Sequence, residues 1–192
     1  MHRNTVVACV LLIVLHVPID RGAAQAAPAV APVAVSAPPA TKIEAFKPSA
    51  GSVVTLAYDE LGGVGGISVD VRELRDASSK SATVRGLLVE VIESQYRVER
   101  SFVDADEIPE LLRGIDALLE VKNNPTSFQN FEVRYTTKGE LRIVAFNSRS
   151  DIKYSVDAGR TLKASRHINA DDMRKLRGIF AAAQAKLVAL PK

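Results

Sequence analysis

The sequence predicts an α+β domain in which four antiparallel strands followed by a helix occur twice in succession (ββββα twice). Three observations lead there. Short alternating apolar segments are separated by Gly-, Asp- and Ser-containing turns. Two longer segments carry the i, i+3, i+4 spacing of amphipathic helices. The residues that lead into those two segments are alike. Phe102-Val-Asp-Ala-Asp-Glu-Ile108 matches His167-Ile-Asn-Ala-Asp-Asp-Met173, and Leu112-Arg-Gly-Ile115 matches Leu176-Arg-Gly-Ile179.

In the first copy, strands are expected over 52–58, 67–74, 83–92 and 96–103. Turns are expected at 62–66, 76–81 and 94–95. The glycines of 62–66 suit a hairpin. They do not suit a phosphate-cradling loop, which needs a following helix and a Lys-Ser/Thr pair. The next helix places Ile108, Leu111, Leu112, Ile115, Leu118 and Leu119 on one face. Pro109 would crowd its first turn, so the helix is expected to start after a short turn, capped by Asp106. The segment NNPTS at 123–127 ends it.

In the second copy, strands are expected over 131–137, 141–147, 152–157 and 161–168, with turns at 138–140, 148–151 and 158–160. Asn169 then caps a helix, with Asp172 completing a capping box and Ile168 and Met173 forming a hydrophobic staple. Its apolar stripe is Met173, Leu176, Ile179, Phe180, Ala183, Leu187 and Leu190. The two copies, 52–122 and 131–190, lie within one domain over 42–192.

Two segments of different character come first. Residues 1–26 combine Arg3, an apolar run of 12 over 6–17, breakers at Pro18 and Asp20, and the small-x-small Ala24-Gln25-Ala26. That is the pattern of a secretory signal peptide, so the protein is expected in the periplasm or secreted. The run falls short of the ~20 residues of a stable membrane span. The alternative is an uncleaved signal anchor that tethers the protein to a membrane. Residues 27–41, APAVAPVAVSAPPAT, read as a disordered Ala/Pro-rich tether.

Composition narrows the function classes. With 47% hydrophobic and 24% charged residues, the chain is not a collagen, a coiled-coil rod or wholly disordered. Cleavage removes Cys9, the single cysteine, and with it any thiol chemistry. His167 is then the one remaining histidine, with no nucleophile or ligand spacing around it. Asp104-Ala-Asp-Glu107 and Asn169-Ala-Asp-Asp172 lack the calcium-loop spacing and suit helix starts instead. No catalytic, cofactor-binding or metal-ligating residue is assigned, and no cofactor is expected.

Charge is the most informative polar feature. Residues 42–130 hold 10 basic and 15 acidic side chains, a net of −5, and residues 131–192 hold 13 and 6, a net of +7. Strand alternation places Arg134, Arg142, Lys153 and Lys163 opposite inward apolar residues, as one basic sheet face. Such a face suits an anionic envelope polymer, a membrane surface or an acidic protein. Alternatively, the acidic half neutralises the basic half, within one domain or across a homodimer. Single-stranded nucleic acid fits less well, because most aromatics fall at inward positions. The expected function is an exported, non-catalytic binding or structural module. The alternative is a periplasmic enzyme whose site is assembled from scattered polar residues.

In element order, residues 52–190 resemble the Whirly-like fold of single-stranded nucleic-acid-binding proteins. That likeness implies a (ββββα)2 domain and a nucleic-acid ligand. The chain also resembles uncharacterised exported bacterial proteins that join a strand-rich region to a final Lys/Ala/Leu helix. Neither likeness assigns an active site to any residue here.

Overall fold

Alternation along the strands builds the two sheets. Ile67, Val69 and Val71 on one strand and Leu87, Val89 and Val91 on its neighbour are buried in the core, while the residues between them turn to the opposite face. The computed structural model describes residues 38, 40–48, 50–78, 83–122, 125–149 and 151–191. The expected signal peptide, residues 27–37 and 39 of the expected tether, and parts of the turns at 76–81, 123–127 and 148–151 lie outside them.

Strands β1 (Val54–Val64), β2 (Ile67–Asp76), β3 (Thr83–Ser94) and β4 (Arg97–Asp104) form the first sheet, in the order β1-β2-β3-β4. Strands β5 (Glu132–Thr136), β6 (Arg142–Ser148), β7 (Asp151–Ala158) and β8 (Ala164–Ile168) form the second, in the order β5-β6-β7-β8. Every neighbouring pair is antiparallel. A helix follows each sheet, α2 (Ile108–Leu119) after the first and α3 (Ala170–Ala189) after the second. The α+β class and the twofold ββββα order are those the sequence predicts.

Two strand limits differ from expectation by three residues or more. β1 runs on to Val64, with a bulge between Glu60 and Gly62 where Gly62 takes φ +114°. Only Gly65 and Gly66, at φ +61° and +85°, make the turn, as a two-residue hairpin with both central residues left-handed. β8 begins at Ala164, so 161–163 precede it.

The two helix starts also differ from each other. Asn169 accepts a hydrogen bond from the Asp172 backbone N–H at 2.8 Å, the cap that the sequence predicts. The expected Asp106 cap is absent. A 3-10 turn, Ala105–Glu107, leads into α2, and no side chain caps it. Pro109 lies in the first helical turn, where its missing N–H costs no helical bond. The Asp104 carboxylate instead accepts the Lys42 backbone N–H, at 2.9 and 3.1 Å. That bond fixes a helix outside the expected elements, α1 (Lys42–Ala45). Thr41, expected at the end of the tether, is buried and closes a capping box with Glu44.

Each helix covers the sheet of the other half. α2 lies across β5 and β6, α3 lies mainly across β1 and β2, and the two helices touch. α2 buries Ile108, Leu111, Leu112, Ile115 and Leu118, and α3 buries Met173, Leu176, Phe180, Ala183 and Leu187. These residues join the inner faces of both sheets in one core. Neither half can close its own core, because its lid comes from the other. Arg177 on α3 grips Asp116 on α2 through two hydrogen bonds of 2.9 and 2.8 Å. That contact holds the Asp116 carboxyl below its usual range. Lys186 pairs with Asp59 on β1.

Candidate functional site

Val133, Tyr135, Ile143, Ala145, Tyr154 and Val156 turn inward from the second sheet to the core. The alternate residues therefore make its outer face. Register sets them in rows: Arg134 opposite Val144, Ser155 and His167; Glu132 opposite Phe146 and Lys153; Arg142 opposite Asp157 and Ser165. Arg134, Arg142 and Lys153 thus share one face, as expected. Lys163 precedes β8, where the Gly159 carbonyl at 2.9 Å and Glu140 at 3.3 Å hold its ammonium.

Each of the four cations meets a carboxylate from its own half. Arg134 pairs with Glu132, Arg142 with Asp157 at 4.0 Å, Lys153 with Asp151 at 3.9 Å and Lys163 with Glu140. The four pairs differ in environment. Arg142 and Asp157 are largely covered, and Asp157 also accepts the Ser165 hydroxyl at 2.7 Å. Arg134 and Lys153 are exposed and pair with residues two positions away on their own strands. Exposed pairs of this kind contribute about 1 kcal/mol or less, so a fixed external anion can replace either carboxylate.

One feature of this face was not foreseen. Phe146 points outward, opposite Lys153, and its ring meets the His167 ring edge-on, with centroids 5.7 Å apart and planes at 72°. Beside them is an open hollow of about 420 Å³ lined by Phe146, Ser148, Lys153, His167, Asn169 and Asp172. The signal was present in the alternation, since Phe146 lies one position from each of the core residues Ala145 and, by pairing with Lys153, Tyr154. The unperturbed alternation of 142–148 assigns it outward.

The remaining carboxylate clusters work within the fold. Glu107 accepts the Lys138 backbone N–H at 2.7 Å, Asp106 pairs with Lys42 at 2.8 Å, and Asp171 with Arg174 at 2.7 Å. Two larger clefts have walls whose charges are mostly matched to one another. One, of about 710 Å³, contains the pairs Lys42–Asp106 and Arg85–Glu73. The other, of about 450 Å³, contains Arg72–Asp70 and Arg100–Glu90. Among the described residues, no three His, Cys, Asp or Glu side chains gather as a metal site, and no helix is long and apolar enough to cross a membrane. Comparison with protein-family models, curated proteins and solved structures finds no match.

Proposed function

We propose that this protein is an exported, non-catalytic binding module that takes an anionic polymer of the cell envelope on the outer face of its second sheet. The observation that carries the reading is the outward Phe146–His167 pair beside the exposed cation Lys153, with Arg134 exposed on the same face. Aromatic rings offer a flat apolar surface to a repeating unit, and the cations receive its carboxylate or phosphate groups. The hollow beside the rings gives that unit depth. Export rests on the pattern of residues 1–26.

The same arrangement favours a second reading, single-stranded nucleic acid, since bases stack on aromatic rings between basic side chains. The element order resembling the Whirly-like fold agrees with it. Export favours the envelope polymer.

Replacing Arg134 and Lys153 together by glutamine is expected to weaken retention on a polyanionic matrix on the order of tenfold per lost cation. Arg142→Gln with Lys163→Gln is expected to change retention little, because those side chains are engaged within the fold. Column elution at graded salt measures both. Equal effects of the two double variants would contradict the assignment. A parallel series with a uronate polymer and a single-stranded oligonucleotide ranks the two ligand classes.

A further inference from the structure

We propose that the outer edge of β1 is the contact between two copies of this chain, paired antiparallel about a twofold axis at Ala57. The surface involved belongs to the first sheet, so the proposal is independent of the functional reading above.

The strand is built unlike a protected edge. All seven residues over 54–60 are exposed, on both faces, and Leu56 and Tyr58 show 51% and 64% of their surface. Natural edge strands are blunted by charged residues, proline, bulges or a covering element; here the bulge at 60–62 and the Asp59–Lys186 pair lie towards one end, and 54–58 holds no charged residue or Pro. Among the described residues nothing pairs with this edge. The Ala77 N–H donates to the Val53 carbonyl at 2.9 Å. Alternation therefore turns the backbone groups of Thr55, Ala57 and Asp59 toward β2, and those of Val54, Leu56, Tyr58 and Glu60 outward.

The edge is also self-complementary. About an axis at Ala57, Leu56 of each copy stands opposite Tyr58 of the other, and Val54 opposite Glu60. Asp59 then stands opposite Thr55, whose neighbour across β2 is Arg75. Arg75 is exposed and makes no ion pair among the described residues, so the partner's Asp59, which Lys186 of its own chain already neutralises, arrives one strand from a cation and beside no like charge. Parallel pairing would set Asp59 and Glu60 of the two copies side by side. Twofold pairing makes one interface serve both copies and joins the two first sheets into a continuous eight-stranded one.

Sedimentation velocity of the full chain tests this, with Leu56→Lys and Tyr58→Lys as edge variants. The unaltered protein is expected at the mass of two chains, and both variants at the mass of one. The far-UV spectrum of each variant at room temperature is expected to match that of the unaltered protein, since Leu56 and Tyr58 are exposed in the single chain, while the melting temperature of the unaltered protein alone is expected to rise with protein concentration. A one-chain mass for the unaltered protein, or a two-chain mass that survives both substitutions, would overturn the proposal.

Discussion

Phe180→Ala is expected to lower the free energy of unfolding by about 3–5 kcal/mol, a large part of the ~5–15 kcal/mol typical of a domain. Phe180 is fully buried and is the largest residue in the apolar stripe of α3. Its loss removes transfer free energy and leaves a cavity that two packed sheets cannot collapse to fill. Because α3 belongs to the second half but covers β1 and β2, the damage should fall first on the first half. Urea unfolding followed by circular dichroism measures the total, and amide exchange locates it. β1 and β2 are expected to lose protection together with α3. A loss under about 1 kcal/mol, or lost protection confined to β5–β8, would mean that α3 is not the lid of the first sheet.

Gly139→Ala is expected to destabilise by about 1–3 kcal/mol, opposite in sign to the usual gain from replacing glycine by alanine at a compatible site. Gly139 lies in the β5–β6 turn, where the Glu140 N–H donates to the Thr137 carbonyl at 3.1 Å. A Cβ there would overlap the Phe102 carbonyl oxygen on β4 and crowd the Thr41 methyl. Main chain of one half thus rests on main chain of the other, and neither can give way as a flexible side chain would. The adjacent Lys138 N–H bond to Glu107 fixes the same joint. Thermal unfolding of the variant is the check. An unchanged or raised midpoint would show that the turn can move away from β4.

Both expectations depend on the exchange of helices between halves, and that exchange was not legible in the sequence. Alternation and helical spacing report which residues turn inward, and they did so for Ile67 to Val91 and for the stripes of α2 and α3. They do not say which inner face meets which. Sheet pairing between neighbours is local, whereas the seat of a helix depends on loop path and on contacts such as Arg177–Asp116 between residues far apart in the chain. The same limit explains α1. Its capping box, Thr41 to Glu44, is a local signal, but its stability comes from Asp104, 62 residues away. That distant bond also took Asp104 out of the helix start that repeat symmetry suggested for it.

The candidate face was partly legible. Parity placed Arg134, Arg142, Lys153 and Lys163 together; the register puts the first three on one side of the second sheet, whereas Lys163 precedes β8. Their carboxylate partners were less legible, because Glu132 and Asp151 sit two residues from the cations they meet. Net charge per half, −5 against +7, concealed those pairs within the basic half. Between the halves, Arg177–Asp116, Lys186–Asp59 and Arg160–Glu44 each join a basic residue of the second half to an acidic residue of the first.

The most direct test of the binding face is a titration of the ¹⁵N-labelled protein with a soluble uronate oligosaccharide, followed by amide shifts. Saturable shifts are expected to cluster at Arg134, Phe146, Lys153 and His167, while β1 and α2 stay unmoved. Shifts confined to another surface, or none at millimolar oligosaccharide, would contradict it.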